Sequence, residues 1–77
     1  MSSVLPVNDQ KVRLLAYCQK TAPKITLVGR AAERLGWWAT LSDTEKLLEE
    51  LVVDGLIRRA TKEELREQGL RHGYLPG

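Results

Sequence analysis

Seventy-seven residues, 43% of them hydrophobic, are enough for one small domain with its own core; a chain of this size buries only about 60% of its unfolded surface, and its composition is not that of a disordered tail. A lone cysteine, Cys18, excludes an internal disulfide and a cysteine metal cluster, and the net charge of +2 is too small by itself to identify a nucleic-acid partner. No apolar run is long enough to span a membrane.

Residues 1–7 read as an extended lead-in, because Pro6 disfavours helix before it. The segment Met1-Ser-Ser-Val-Leu-Pro-Val7 has no basic stretch ahead of an apolar one, which is not the pattern of a secretory signal, and a reduced cysteine then fits a cytoplasmic location. The domain proper is placed at residues 9–77, with 1–8 ahead of it. A first helix is expected near residues 9–20, capped by Asn8 or Asp9, with Val12, Leu15, Ala16 and either Tyr17 or Cys18 facing inward. Cys18 reads as a small buried hydrophobe and not as a reactive thiol. Thr21-Ala-Pro23 breaks this helix. Lys24-Ile-Thr-Leu27 is a short strand or the entry to the next helix. That second helix runs from about Leu27 to Leu35, buries Val28, Ala31, Ala32 and Leu35, and ends at Gly36.

Trp37-Trp-Ala-Thr40 connects to the most regular part of the chain. Leu41, Leu47, Leu48, Leu51 and Val52 recur at three- and four-residue steps and share one helical face. Ser42 and Glu45 are spaced as a capping box at the start of this third helix, with Leu41 ahead of them as a hydrophobic staple. Gly55 ends it, and Leu56 and Ile57 begin a strand with no room for a loop. A second box, Thr61-Lys-Glu-Glu64, predicts a short fourth helix over residues 62–68. It is closed by Gly69, with Leu65 and Leu70 as its apolar contacts. Gly73, Tyr74 and Leu75 are expected to return as a strand beside the first.

The charges are segregated. The third helix and its cap carry Asp43, Glu45, Glu49, Glu50 and Asp54 against Lys46 alone. Basic residues lie around it: Lys11, Arg13 and Lys20 in the first helix, Lys24, Arg30 and Arg34 near the second, and Arg58, Arg59, Lys62, Arg66 and Arg71 in the C-terminal part. Asp43 and Glu45 are explained by the macrodipole at a helix N-terminus, whereas Glu49, Glu50 and Asp54 are not.

Ile25-Thr-Leu27, Ala31-Ala-Glu-Arg-Leu-Gly36 and the leucine-spaced helix closing on Asp54-Gly-Leu-Ile-Arg58 together resemble the core of prokaryotic winged helix-turn-helix regulators over residues 9–60. The resemblance implies a mainly α fold with a small β-sheet: a three-helix core plus a wing that carries a short extra helix. A four-helix bundle is the alternative. It also implies binding to double-stranded DNA, and a role in transcription regulation, by a dimer or beside a partner. Arg30, Arg34, Arg58, Arg59 and Arg71, with Lys24, would meet phosphates, and Ser42, Thr44 and Lys46 would probe the groove. An acidic helix is repelled by DNA, which carries about one negative charge per 1.7 Å of axis. The competing reading is therefore a protein-interaction module that meets a basic protein partner through Glu45, Glu49, Glu50 and a tryptophan of the pair Trp37 and Trp38. One tryptophan is expected to pack between the second and third helices and the other to be at least half exposed.

His72 has no histidine or cysteine companion suited to a metal, and no nucleophile–base set or phosphate loop occurs. Binding without catalysis, cofactor or metal is the expectation.

Overall fold

The computed structural model describes residues 6–77 of the chain. Six elements follow one another: α1 (Val7–Thr21), α2 (Val28–Leu35), α3 (Leu41–Val53), β1 (Ile57–Arg59), α4 (Lys62–Glu67) and β2 (Tyr74–Pro76). The expected lead-in falls largely on residues 1–5, outside the described part, and the helix is already under way at Val7. Pro6 sets this start. Its φ of −56° suits the entrance to a helix, and its carbonyl accepts from the Gln10 amide at 3.0 Å. Asn8 and Asp9 are therefore inside the first turn and not at the cap, where Asp9 still complements the macrodipole.

The buried stripe of α1 is Leu14 and Cys18, flanked by half-buried Leu15 and Tyr17. Val12 and Ala16, expected inside, are exposed. Two apolar stripes overlap on this helix, and local periodicity cannot choose between them. Packing against α2 and α3 selects the one with Leu14. Helix α2 buries Ala31, Ala32 and Leu35, half-buries Val28, and stops at Gly36, whose φ of 148° no other residue adopts readily.

In α3 the cap is not the expected one. Thr40 stands at the N-cap and its hydroxyl accepts from the Asp43 amide at 3.1 Å, so Ser42 lies within the first turn. A threonine two residues ahead of the serine offers the same capping chemistry, and the helix begins where the chain leaves the Trp37–Ala39 turn. Leu41 is consequently 62% exposed, whereas Leu47, Leu48 and Leu51 are buried and Val52 half-buried. Gly55 turns the chain with φ of 78°.

The wing is a two-stranded antiparallel sheet in which Ile57 faces Pro76, Arg58 faces Leu75 and Arg59 faces Tyr74. Helix α4 is inserted between the strands and has the expected capping box: Glu64 donates its amide to Thr61 Oγ1 at 3.2 Å, and its carboxylate accepts from the Thr61 amide at 2.9 Å. On its free edge β2 exchanges two backbone bonds with Thr26, at 2.8 and 2.9 Å. The Lys24–Leu27 segment thus serves as a third, one-residue strand position. Gln68 ties α4 to this edge, accepting from the Ile25 amide and donating to the Pro23 carbonyl. The fold is thus mainly α, a three-helix core with a short extra helix beside a small sheet, and its architecture is winged-helix-like, not a four-helix bundle. Leu14, Leu48, Leu51, Ile57 and Tyr74 meet at its centre.

Candidate nucleic-acid interface

Helix α3 closes the core with one flank and leaves the other open. Ser42, Glu45, Lys46, Glu49 and Glu50 share that outer surface. Thr44 does not belong to it. It is fully buried, its hydroxyl finds no partner among the described residues, and it cannot probe a groove as the sequence had implied. At a three-residue step before Leu47 and a four-residue step before Leu48, its place is on the inward face.

The acidity of α3 is reduced within the fold. Arg59, on β1, holds the Glu49 carboxylate through two guanidinium nitrogens, Nε at 3.2 Å and Nη2. Tyr74 Oη donates to the same carboxylate at 2.6 Å. Arg59 and then Tyr74 hold the Glu49 carboxyl below the usual carboxylate range. Burial, followed by the bond to Glu49, pushes the Tyr74 phenol up. His72 Nε2 lies 3.3 Å from Tyr74 Oη, its ring edge-on to the phenol. Glu50 is approached by Lys11 of α1 at 3.8 Å. Among the described residues, Asp43 and Glu45 near the start of α3 and Asp54 at its C-cap have no such partner.

The cations expected to meet DNA fall into three groups. Arg58 and Arg59 already have anionic partners. Glu64 takes Arg58 in a two-pronged pair at 2.7 and 2.9 Å, which lowers the Glu64 carboxyl to about 2. Arg30 has a loose, exposed pair with Glu33 at 3.6 Å. Lys24, Arg34, Lys46 and Arg71 are exposed and make no ion pair among the described residues. Arg34 is not beside α3. It lines a groove between α1 and α2 together with Arg13, Ala16, Tyr17, Lys20 and Glu33. Sequence reasoning counted Arg13 and Lys20 only toward a regional charge. Their seven-residue step already put both on one face of α1.

The tryptophans separate as expected. Trp38 is half-buried against the core, and Trp37 is 87% exposed. Around Trp37 lie Gly29, Ala32, Glu33, Ala39 and Leu41. Cys18 is buried within the three-helix core, where burial pushes its thiol up. Among the described residues no group of histidine, cysteine and carboxylate side chains is arranged to hold a metal, and no helix is long and apolar enough to cross a membrane.

No protein-family model, curated protein or solved structure matches the chain.

Proposed function

We propose that this protein binds duplex DNA through the α2–turn–α3 unit, with the outer flank of α3 directed to the major groove. The observation that carries the reading is the engagement of Glu49 and Glu50 by Arg59 and Lys11. These carboxylates were the chief electrostatic objection to a DNA-facing α3, and internal cations offset them. Ser42 and Lys46 are then the donors available to base edges. Glu45 is an acceptor suited to cytosine N4, a contact that carboxylates make when basic neighbours compensate them. Lys24, Arg30 and Arg71 supply phosphate contacts. One module of this size buries limited DNA surface, so a dimer or a neighbouring partner would complete the affinity. Transcription regulation is the role this arrangement suits.

A labelled pool of random duplexes, titrated at about 50 mM salt, tests the reading. Lys46→Ala is expected to weaken binding by about 1–3 kcal/mol if Lys46 meets a base edge. No mobility shift of the wild type on any duplex rejects the proposal.

A protein-docking role is the second reading. It is favoured by the exposure of Trp37 beside Leu41, and no longer by Glu49, which Arg59 and Tyr74 hold. Partner capture that survives nuclease treatment and is lost in Trp37→Ala would support it over the first.

A further inference from the structure

Among the described residues, several cations without an ion-pair partner lie away from α3 on one face. Arg13 and Lys20 of α1 and Arg34 of α2 line one open groove. All three are exposed, and none makes an ion pair among the described residues. Glu33, the carboxylate on that groove among the described residues, lies 3.6 Å from Arg30. Three cations held at one groove repel one another, and the residues that α1 and α2 give to the core, Leu14, Cys18, Ala31 and Leu35, do not include them. Their spacing identifies the kind of anion they suit. Seven residues of helix separate Arg13 from Lys20 by about 10.5 Å along the axis. Extended along the groove, the two side chains span more than one phosphate. A nucleic-acid strand, with a charge every 3.4 Å or so of duplex axis, presents several phosphates over that length. Exposed Ala16 and half-buried Tyr17 also line the groove on its α1 side.

We infer that the α1–α2 groove is a second contact surface for the sugar-phosphate backbone of duplex DNA, with Arg13, Lys20 and Arg34 as its phosphate ligands. This rests on the DNA-binding reading and extends it to a face that does not include α3. The groove contributes affinity without sequence preference, because it meets only phosphates.

Fluorescence anisotropy of a labelled duplex over a salt series provides the test. The combined variant Arg13→Ala, Lys20→Ala, Arg34→Ala is expected to bind roughly ten- to a hundredfold more weakly at about 50 mM salt. The slope of log K against log salt should fall in magnitude by about two to three, since each phosphate contact contributes about 0.9. The charge-conserving pair Arg13→Lys, Arg34→Lys should retain most of the slope. Circular dichroism checks the fold, and should the combined variant unfold, each single alanine variant is expected to lower the slope by about one. An unchanged affinity and slope in the combined variant, with Lys46→Ala still weakened, overturns the groove and leaves the α3 reading standing. Wild-type protein that binds no duplex, or binds only phosphatidylserine vesicles, overturns both.

Discussion

Replacing Tyr74 by phenylalanine isolates the polar contact that joins the wing to α3. Tyr74 is fully buried, and its hydroxyl reaches Glu49 Oε2 at 2.6 Å, the short distance typical of a hydroxyl donating to an ionised carboxylate. Phenylalanine keeps the ring and its packing and removes the donor. A hydrogen bond to a charged group contributes about 1.5–3 kcal/mol. Glu49 keeps Arg59 after the substitution and is not left without a partner, so the lower part of that range, about 1.5–2 kcal/mol, is expected. With a urea dependence of about 1 kcal/mol per molar for so small a domain, the midpoint should fall by roughly 1.5–2 M at pH 7.

The pH dependence separates this bond from any packing change. Glu49 titrates lower in the folded chain than unfolded, so its stabilising contribution is present above about pH 4.3 and is lost as pH falls through the folded value. Once the carboxyl is protonated, the bond from Tyr74 becomes a neutral one, and the gap between wild type and Tyr74→Phe should narrow in acid. Tyr74 titrates higher when folded, so its contribution is full below about pH 10 and is lost as pH rises beyond that. The gap should narrow in base as well, because phenylalanine has no proton to lose. Equal midpoints at pH 7, or a gap that stays constant as Glu49 is protonated in acid, would refute the reasoning.

Three further outcomes are expected. Thr40→Ala should cost about 1 kcal/mol by loss of the α3 cap, while Ser42→Ala should change stability by no more than about 0.5 kcal/mol; the reverse order in thermal unfolding would place the cap at Ser42. Gly73→Ala should destabilise by about 1–3 kcal/mol, because a Cβ there meets the Ile25 side chain and comes within 3.0 Å of the Thr26 carbonyl, backbone that is held by its bonds to Tyr74; chemical denaturation at wild-type stability would contradict this. Trp37→Ala should remove most of the acrylamide-quenchable fluorescence at a cost of no more than about 0.5 kcal/mol, whereas Trp38→Ala should cost on the order of 2 kcal/mol; equal quenching in the two variants would be inconsistent with the exposure of Trp37.

Local chemistry made much of this architecture legible. The leucine spacing of α3 from Leu47 to Leu51, the glycines at 36, 55 and 69, the Thr61–Glu64 box and the separation of the two tryptophans all follow from interactions within a turn or two of chain, and the structure agrees with each; Leu41, expected on the same face, is exposed. Where two local solutions had similar chemistry, the sequence was ambiguous. Thr40 and Ser42 both cap helices, and Val12–Ala16 and Leu14–Cys18 are both apolar stripes.

The residues themselves determined which segments are helices, where they stop, and that α3 with its C-cap bears half of the carboxylates, because propensity, capping and backbone sterics act over a few neighbours. Only the tertiary structure decided what those charges mean. Glu49 meets Arg59 ten positions away and Tyr74 twenty-five away, Glu50 meets Lys11 across two helices, and Arg13, Lys20 and Arg34 come to share a groove. Electrostatic energy depends on separation in space and not along the chain, and it is the packing of α1, α2 and the wing around α3 that sets those separations.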